Sequence, residues 1–152
     1  MIPAELIVPT AIATPGMTVD ALFRECSEKG VPGIPFRDVT GQFKGKASIH
    51  HVLKQTCVPD YLIKHASLLD DGDSSLNIPL EKASEVLSLA VDPFVLADSA
   101  VIGPESSVAK ALAVMDLHHT TYLFVMDGDN YLGCISIMGM AECVIRAVEN
   151  RK

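Results

Sequence analysis

The order helix, strand, turn, strand, helix occurs twice in this chain, and that doubling restricts its fold more than any single motif. In "TVDALFRECSEKG", Val19, Leu22, Phe23 and Cys26 fall at i, i+3, i+4 and i+7, one face of a helix. Thr18 is placed to cap its start and Gly30 to end it. "SSVAKALAVMDLHH" repeats the pattern with Val108, Ala111, Leu112 and Met115 behind Ser106 or Ser107. Each helix leads into a short extended segment, "GIPFRD" (33–38) and "YLFVMD" (122–127), which ends in Asp and turns. Second strands, "QFKGKAS" and "YLGCISI", follow and pass into further helices, clearest at Ile137, Ala141, Val144, Ile145 and Val148. Asp38 and Asp127 stand 89 positions apart, Gly45 and Gly133 stand 88. The one-residue slip falls in the hairpin turn, where a change of length is cheapest.

A strand-like stretch leads into each unit, "LIVPTAIATPG" and "PFVLADSAVIGPE", closed by Pro15 and Pro104. Between the units, Tyr61, Leu62, His65, Leu68 and Leu69 predict one short amphipathic helix, and Leu80, Ala83, Leu87 and Ala90 a second. Nothing there has the composition of a flexible linker, so the halves are expected to pack together.

The bulk numbers restrict function by exclusion. Hydrophobic residues make up 49% of the 152, but aromatics only 5% with no Trp, so the core must be largely aliphatic. A net charge of −7 argues against a nucleic-acid partner, which selects a basic face. No apolar run reaches spanning length; "LSLAVDPFVLADSAVIG" comes nearest and carries Asp92 and Asp98. No secretory leader is evident and Cys26, Cys57, Cys134 and Cys143 form no CxxC pair, so they are expected to be reduced, buried thiols of a cytoplasmic protein.

At the two strand-to-helix junctions the sequence resembles the cystathionine-beta-synthase (CBS) domain family, as a tandem pair or Bateman module. "VPGIPFRDVTGQFKGKAS" follows the family pattern closely, and "TTYLFVMDGDNYLGCIS" keeps its Asp, Gly and Ser but has Phe124 where Pro is usual. The resemblance implies an α+β fold: two β-α-β-β-α repeats packed about a pseudo-two-fold axis. Its expected divisions are repeat one at 1–58, a helical connector packed on the module at 59–88, repeat two at 89–148 and a tail at 149–152. It implies a regulatory, non-enzymatic module with no required cofactor. An adenosyl ligand (AMP, ADP, ATP or S-adenosylmethionine) would lie in the inter-repeat cleft and signal to a regulated protein. Pairing into a homodimer is implied too.

By this resemblance the ligand would meet Ile12, Gly33, Ile34, Pro35, Lys46, Ser48 and His51 in one half. In the other it would meet Ile102, Tyr122, Leu123 and Ser136. The motif glycines, Gly45 and Gly133, would let backbone approach the ligand, and Ser48 and Ser136 would hold phosphate at a helix start. Where the family carries a ribose-binding Asp, this chain has His51 and Gly139. A neutral imidazole offers one acceptor where a carboxylate serves both hydroxyls. The second cleft is therefore expected to be weaker or empty, and an interaction module with a degenerate nucleotide site is the alternative reading. Arg37, Lys44, Lys46, His50 and His51 gather positive charge at the first motif, which favours an anionic ligand; Lys44 and Lys46 could equally line a solvated strand face. His118 and His119 end a helix, where cations suit the dipole. No acid or thiol lies at ligand spacing from His50 and His51, and Ser48 beside His51 lacks an orienting acid, so neither a metal site nor a catalytic one is expected.

Overall fold

A computed structural model describes residues 1–57 and 80–151. The first unit contains α1 (Val19–Lys29), β1 (Gly33–Arg37), β2 (Phe43–Ser48) and α2 (Ile49–Cys57). After α3 (Leu80–Ser88), the second contains β3 (Val101–Ile102), α4 (Val108–Leu117), β4 (Tyr122–Asp127), β5 (Asn130–Ser136) and α5 (Ile137–Glu149). Short 3-10 turns at Ala4–Leu6 and Asp92–Phe94 precede the units. The expected α+β doubling is what forms. The helix expected over Tyr61 to Leu69 lies outside the described residues.

Local chemistry sets the helix ends. Thr18 Oγ1 accepts from Ala21 N at 3.1 Å, and Ser107, rather than Ser106, does the same for Lys110 N at 3.1 Å. Each such cap stabilises its helix by about 1 kcal/mol. Gly30 ends α1 with φ 69°, in the left-handed region. The matching position after α4 holds His119 at φ 51°, the one non-glycine residue with positive φ among the described residues.

β1 and β2 form an antiparallel hairpin, and β4 pairs antiparallel with β5 and parallel with β3. The registers correspond: Phe36 faces Gly45 and Val125 faces Gly133, and both hairpins break register directly after those pairs. The leading segments behave differently from the two strands expected. The first makes only isolated bridges, Val8 to Cys134 and Ala13 to Phe36, because Pro9 between them has no N–H to give a ladder. The second shortens to β3, with Leu96 bridging Lys46. Each leading segment crosses to the other unit. Val8 and Cys134 exchange backbone bonds of 2.9 and 2.8 Å, and Lys46 and Leu96 exchange bonds of 2.8 and 2.9 Å. Val8 and Leu96 are 88 positions apart, as are Lys46 and Cys134, so this exchange has the same two-fold regularity as the hairpins.

The core follows from β4. Its side chains alternate, as a strand requires. Tyr122 and Phe124 join Val19, Leu22, Ile34 and Val52 in one cluster. Leu123 and Val125 join Ala111, Met115, Ile135 and Met140 in another. Three helix faces depart from the apolar spacing. On α3 the buried residue is Val86, while Leu80, at the helix start, is 85% exposed; α3 packs against α1. On α4, Ala111 and Met115 are buried but Leu112 is not. On α5 only Met140 is buried, whereas Ile137, Val144, Ile145 and Val148 are exposed. That stripe has the helical period of a core face without a neighbour among the described residues.

Candidate functional site

A cleft of about 310 Å³ opens where β2 passes into α2, and it is built from both repeats. β2 supplies Lys46 and Ser48, and α2 supplies His50, His51 and Lys54 on its first two turns. The second repeat supplies His119, Thr120 and Thr121 from the α4–β4 connection and Tyr122 from the start of β4. Two backbone bonds fix this junction twice over: Ile49 N donates to Pro32 O at 3.0 Å, and Ile137 N to Thr121 O at 2.9 Å. The start of each second helix is thereby tied to the approach to a first strand, once within unit one and once within unit two.

Tyr122 is the centre of the arrangement. Lys46 Nζ lies 5.1 Å from the centroid of its ring, a cation–π contact. Its hydroxyl is buried against Gly33, where a Cβ would stand 2.6 Å away. Gly33 and Tyr122 are the same position in the two repeats, so the pseudo-axis juxtaposes one residue without a side chain and one with a large one. Burial pushes the Tyr122 phenol up to about 12, with the nearby Ser48 hydroxyl pulling the other way. The two hydroxyls nevertheless stop short of hydrogen-bond geometry, and the phenol oxygen has no partner among the described residues. Such a group costs about 1–3 kcal/mol if left unsatisfied.

The imidazole of His51 is held below its ordinary value, first by partial burial and then by Lys54 and His50. It is therefore neutral at pH 7 in the absence of an anion. Tyr122 and Cys134 sit in the same core cluster as Cys26, and burial pushes both thiols to about 12, so neither is a nucleophile at neutral pH. Cys57 and Cys143 are only half-buried, which corrects the expectation that all four would be core residues. Among the described residues no group of three or more His, Cys, Asp or Glu is arranged to hold a metal ion.

The structure separates the residues named from sequence. Lys46, Ser48, His51 and Tyr122 meet in this cleft. Ile34, Ile102 and Leu123 do not line it: at 0%, 4% and 1% exposure they are core. Gly33 is covered by Tyr122, and Ile12 is half-buried on the first leading segment. Pro35 lines a separate cleft of about 550 Å³, between the two hairpin turns, with Phe43, Val101 and Phe124. Ser136 accepts from Gly139 N at 3.2 Å and so caps α5.

Three further expectations change. Gly45 and Gly133, at φ 138° and 155°, make room for protein backbone. A Cβ on Gly45 would overlap the Leu96 carbonyl, and one on Gly133 would come within 2.6 Å of the Val8 carbonyl. Lys44 and Lys46 part company because Lys44 is the extra residue of the β2 bulge and lies 4.0 Å from Asp38. Arg37 stacks over Phe43 at 4.7 Å, away from the Ser48 cleft. His118 approaches Asp98 at 3.6 Å, and His119 lines the cleft. The residues that sequence reading missed are Lys54, His119, Thr120 and Thr121. Lys54 could have been found as the residue one turn beyond His50 and His51. His119 was visible only by laying the repeats over one another, where it falls on Gly30.

Neither a protein-family model nor a curated protein sequence matches this chain. Solved structures do. A CBS domain-containing protein of unknown function from Kribbella flavida is similar over 93% of this chain and 97% of its own, with TM-score 0.63 and 17% identity. A second such protein, from Bacillus anthracis, covers 94% and 91% with TM-score 0.60 and 16% identity. The CBS domain of a CBS domain-containing membrane protein from Sphaerobacter thermophilus covers 91% and 83%, with TM-score 0.61 and 16% identity. At these identities the likeness establishes the fold, which is that of a tandem CBS pair. No helix among the described residues is long and apolar enough to cross a membrane.

Proposed function

We propose that this protein is a non-catalytic sensing module that takes an adenine nucleotide (AMP, ADP or ATP) in the cleft beside Ser48 and transmits its occupancy to a partner protein. One observation carries the reading: Lys46, Ser48 and His51 of the first repeat face Tyr122 and His119 of the second across one cleft at the start of α2. A ligand there touches both repeats, so its binding free energy can favour one arrangement of the pair over another. Phosphate suits the basic side chains and the helix start, and the Tyr122 ring and Leu96 offer apolar surface for a base. S-adenosylmethionine, with its cationic sulfonium and no phosphate, fits this lining less well. The reading is tested by thermal shift and calorimetry with AMP, ADP, ATP, NAD and S-adenosylmethionine. A nucleotide at a hundredfold excess over its Kd should stabilise the fold by about 2.7 kcal/mol. No shift and no heat with any of them would end it.

The interaction reading draws on a different feature, the exposed apolar stripe of α5. Val144, Ile145 and Val148 are 67%, 57% and 59% exposed, a patch that a second copy of the chain would cover. Homodimerisation through α5 is compatible with ligand sensing and would persist if the cleft proved empty.

A further inference from the structure

We infer that the Ser48 cleft is a polyphosphate site that needs no ribose, and that His119 is one of its anion-contacting residues. The inference rests on the reading above, that this cleft binds a phosphate-bearing ligand. Five of its lining residues are cationic or become so on protonation, namely Lys46, His50, His51, Lys54 and His119, and no carboxylate lines it among the described residues. Ribose hydroxyls are donors, and no charged acceptor awaits them; phosphate oxygens are acceptors, and donors converge on them.

The internal repeat provides the control. Residues of the first unit's junction recur 88 positions later, and the helix-end position recurs 89 positions later. Lys46 then falls on Cys134, His50 on Met138, His51 on Gly139, Lys54 on Glu142, and His119 on Gly30. None of the five cationic positions has a cationic twin. The positions that build the junction are the same in both copies: Gly45 with Gly133 at the crossing of the leading segments, and Ser48 with Ser136. The fold therefore does not require these charges. In the second unit the position of His51 is taken by Gly139, with the Leu6 side chain 3.4 Å from where a Cβ would stand, so this position faces an apolar neighbour and carries no charge there.

His119 adds a cost that packing does not explain. The chain needs a left-handed residue after this helix, and at the twin position it uses glycine. A histidine there is strained backbone, yet it is exposed and lines the cleft. Strain retained at a cleft residue is the mark of a functional demand. The unpartnered Tyr122 hydroxyl behind Ser48 is a second such mark: a ligand drawing on Ser48 would reorganise the pair.

The test is calorimetry on the full chain with sodium tripolyphosphate, ATP, AMP and adenosine at matched ionic strength. Tripolyphosphate and ATP are expected to bind with comparable affinity, AMP about tenfold more weakly, and adenosine not at all. Binding of adenosine or AMP as tight as that of ATP, with none of tripolyphosphate, overturns the inference and leaves the nucleotide reading standing. Binding of tripolyphosphate with no nucleotide overturns the nucleotide reading and supports the inference. Binding of nothing overturns both. His119→Gly is expected to raise the melting temperature of the ligand-free protein while weakening tripolyphosphate about tenfold. Unchanged affinity, or a lower melting temperature, would remove His119 from the site. Lys54→Glu, which installs the twin's residue, serves as a second variant on another element and should weaken tripolyphosphate without altering the helix end.

Discussion

Gly45 illustrates how a residue shared by both repeats can belong to the architecture. It holds φ 138°, and the Leu96 carbonyl occupies the space its side chain would need. Gly41, at φ 87° in the adjoining turn, has the same backbone requirement but nothing within 4 Å. The two separate strain from crowding. Gly41→Ala should cost about 1 kcal/mol, the penalty of a left-handed alanine. Gly45→Ala should cost about 3 kcal/mol, because the crossing of the leading segment must also shift. Urea unfolding of both variants checks this, and equal costs would show that the Leu96 contact is unimportant. Tyr122→Phe asks the complementary question about an orphaned polar atom. Removing a buried hydroxyl without a partner should leave ligand-free stability unchanged or raise it by up to about 1 kcal/mol. A loss beyond about 1 kcal/mol would mean that the hydroxyl is bonded in solution.

At the scale of elements, the first hairpin turn is a small hydrogen-bonded device. Asp38 Oδ1 accepts from Thr40 Oγ1 at 2.5 Å, Thr40 N at 2.9 Å and Gln42 N at 3.1 Å. The Thr40 hydroxyl is the largest cause of a carboxyl held below its ordinary value, and Lys44 adds to it. A depressed folded pKa contributes stability that is present above the unfolded value, about 3.9, and is lost as pH falls through the folded value. Asp38→Asn should therefore destabilise at neutral pH, with the difference from wild type shrinking below about pH 4; urea unfolding over this range measures it. A constant difference would assign the effect to shape alone. The same element shows why local signals were legible. Caps at Thr18 and Ser107, the left-handed Gly30 and the turns after Asp38 and Asp127 follow from one or two neighbouring residues. So does the placement of Ser48 and His51, one turn apart, at the start of α2. Positions set by the other repeat were not legible. Apolar period alone could not place Ile34 and Leu123 in the core and Tyr122 in the cleft, since all lie on buried strands. Nor could it show that Gly33 is vacant because Tyr122 fills its space, or that the α5 stripe faces outward.

The whole molecule is two-fold in backbone and one-sided in chemistry. Crossed leading segments and matched bulges recur in both repeats, yet Lys46, His50, His51, Lys54 and His119 gather at one junction only, and α5 carries a stripe of exposed aliphatics. In the first unit α1 packs against α3, and Val86 is buried. In the second unit the outer face of α5 carries Ile137, Val144, Ile145 and Val148 with no cover among the described residues. An isologous contact of α5 with α5 in a second copy would bury this stripe on both chains at once, as a two-fold interface requires. Each fully buried aliphatic side chain contributes about 1.5–3 kcal/mol, which favours pairing against the entropy that association costs. The chain of 16.3 kDa is then expected to sediment at twice that mass. Ile145→Glu combined with Val148→Glu should return it to a monomer, because two carboxylates from each chain would be driven into the contact. Both sites are solvent-exposed in the single chain, so the variant should keep its helical circular dichroism. Its tripolyphosphate affinity should also stay within about twofold of wild type, since the stripe and the cleft are separate surfaces and distant sites add independently. A wild-type monomer at high concentration would overturn the dimer. A monomeric variant that also loses the anion would show instead that the cleft is completed by the second copy.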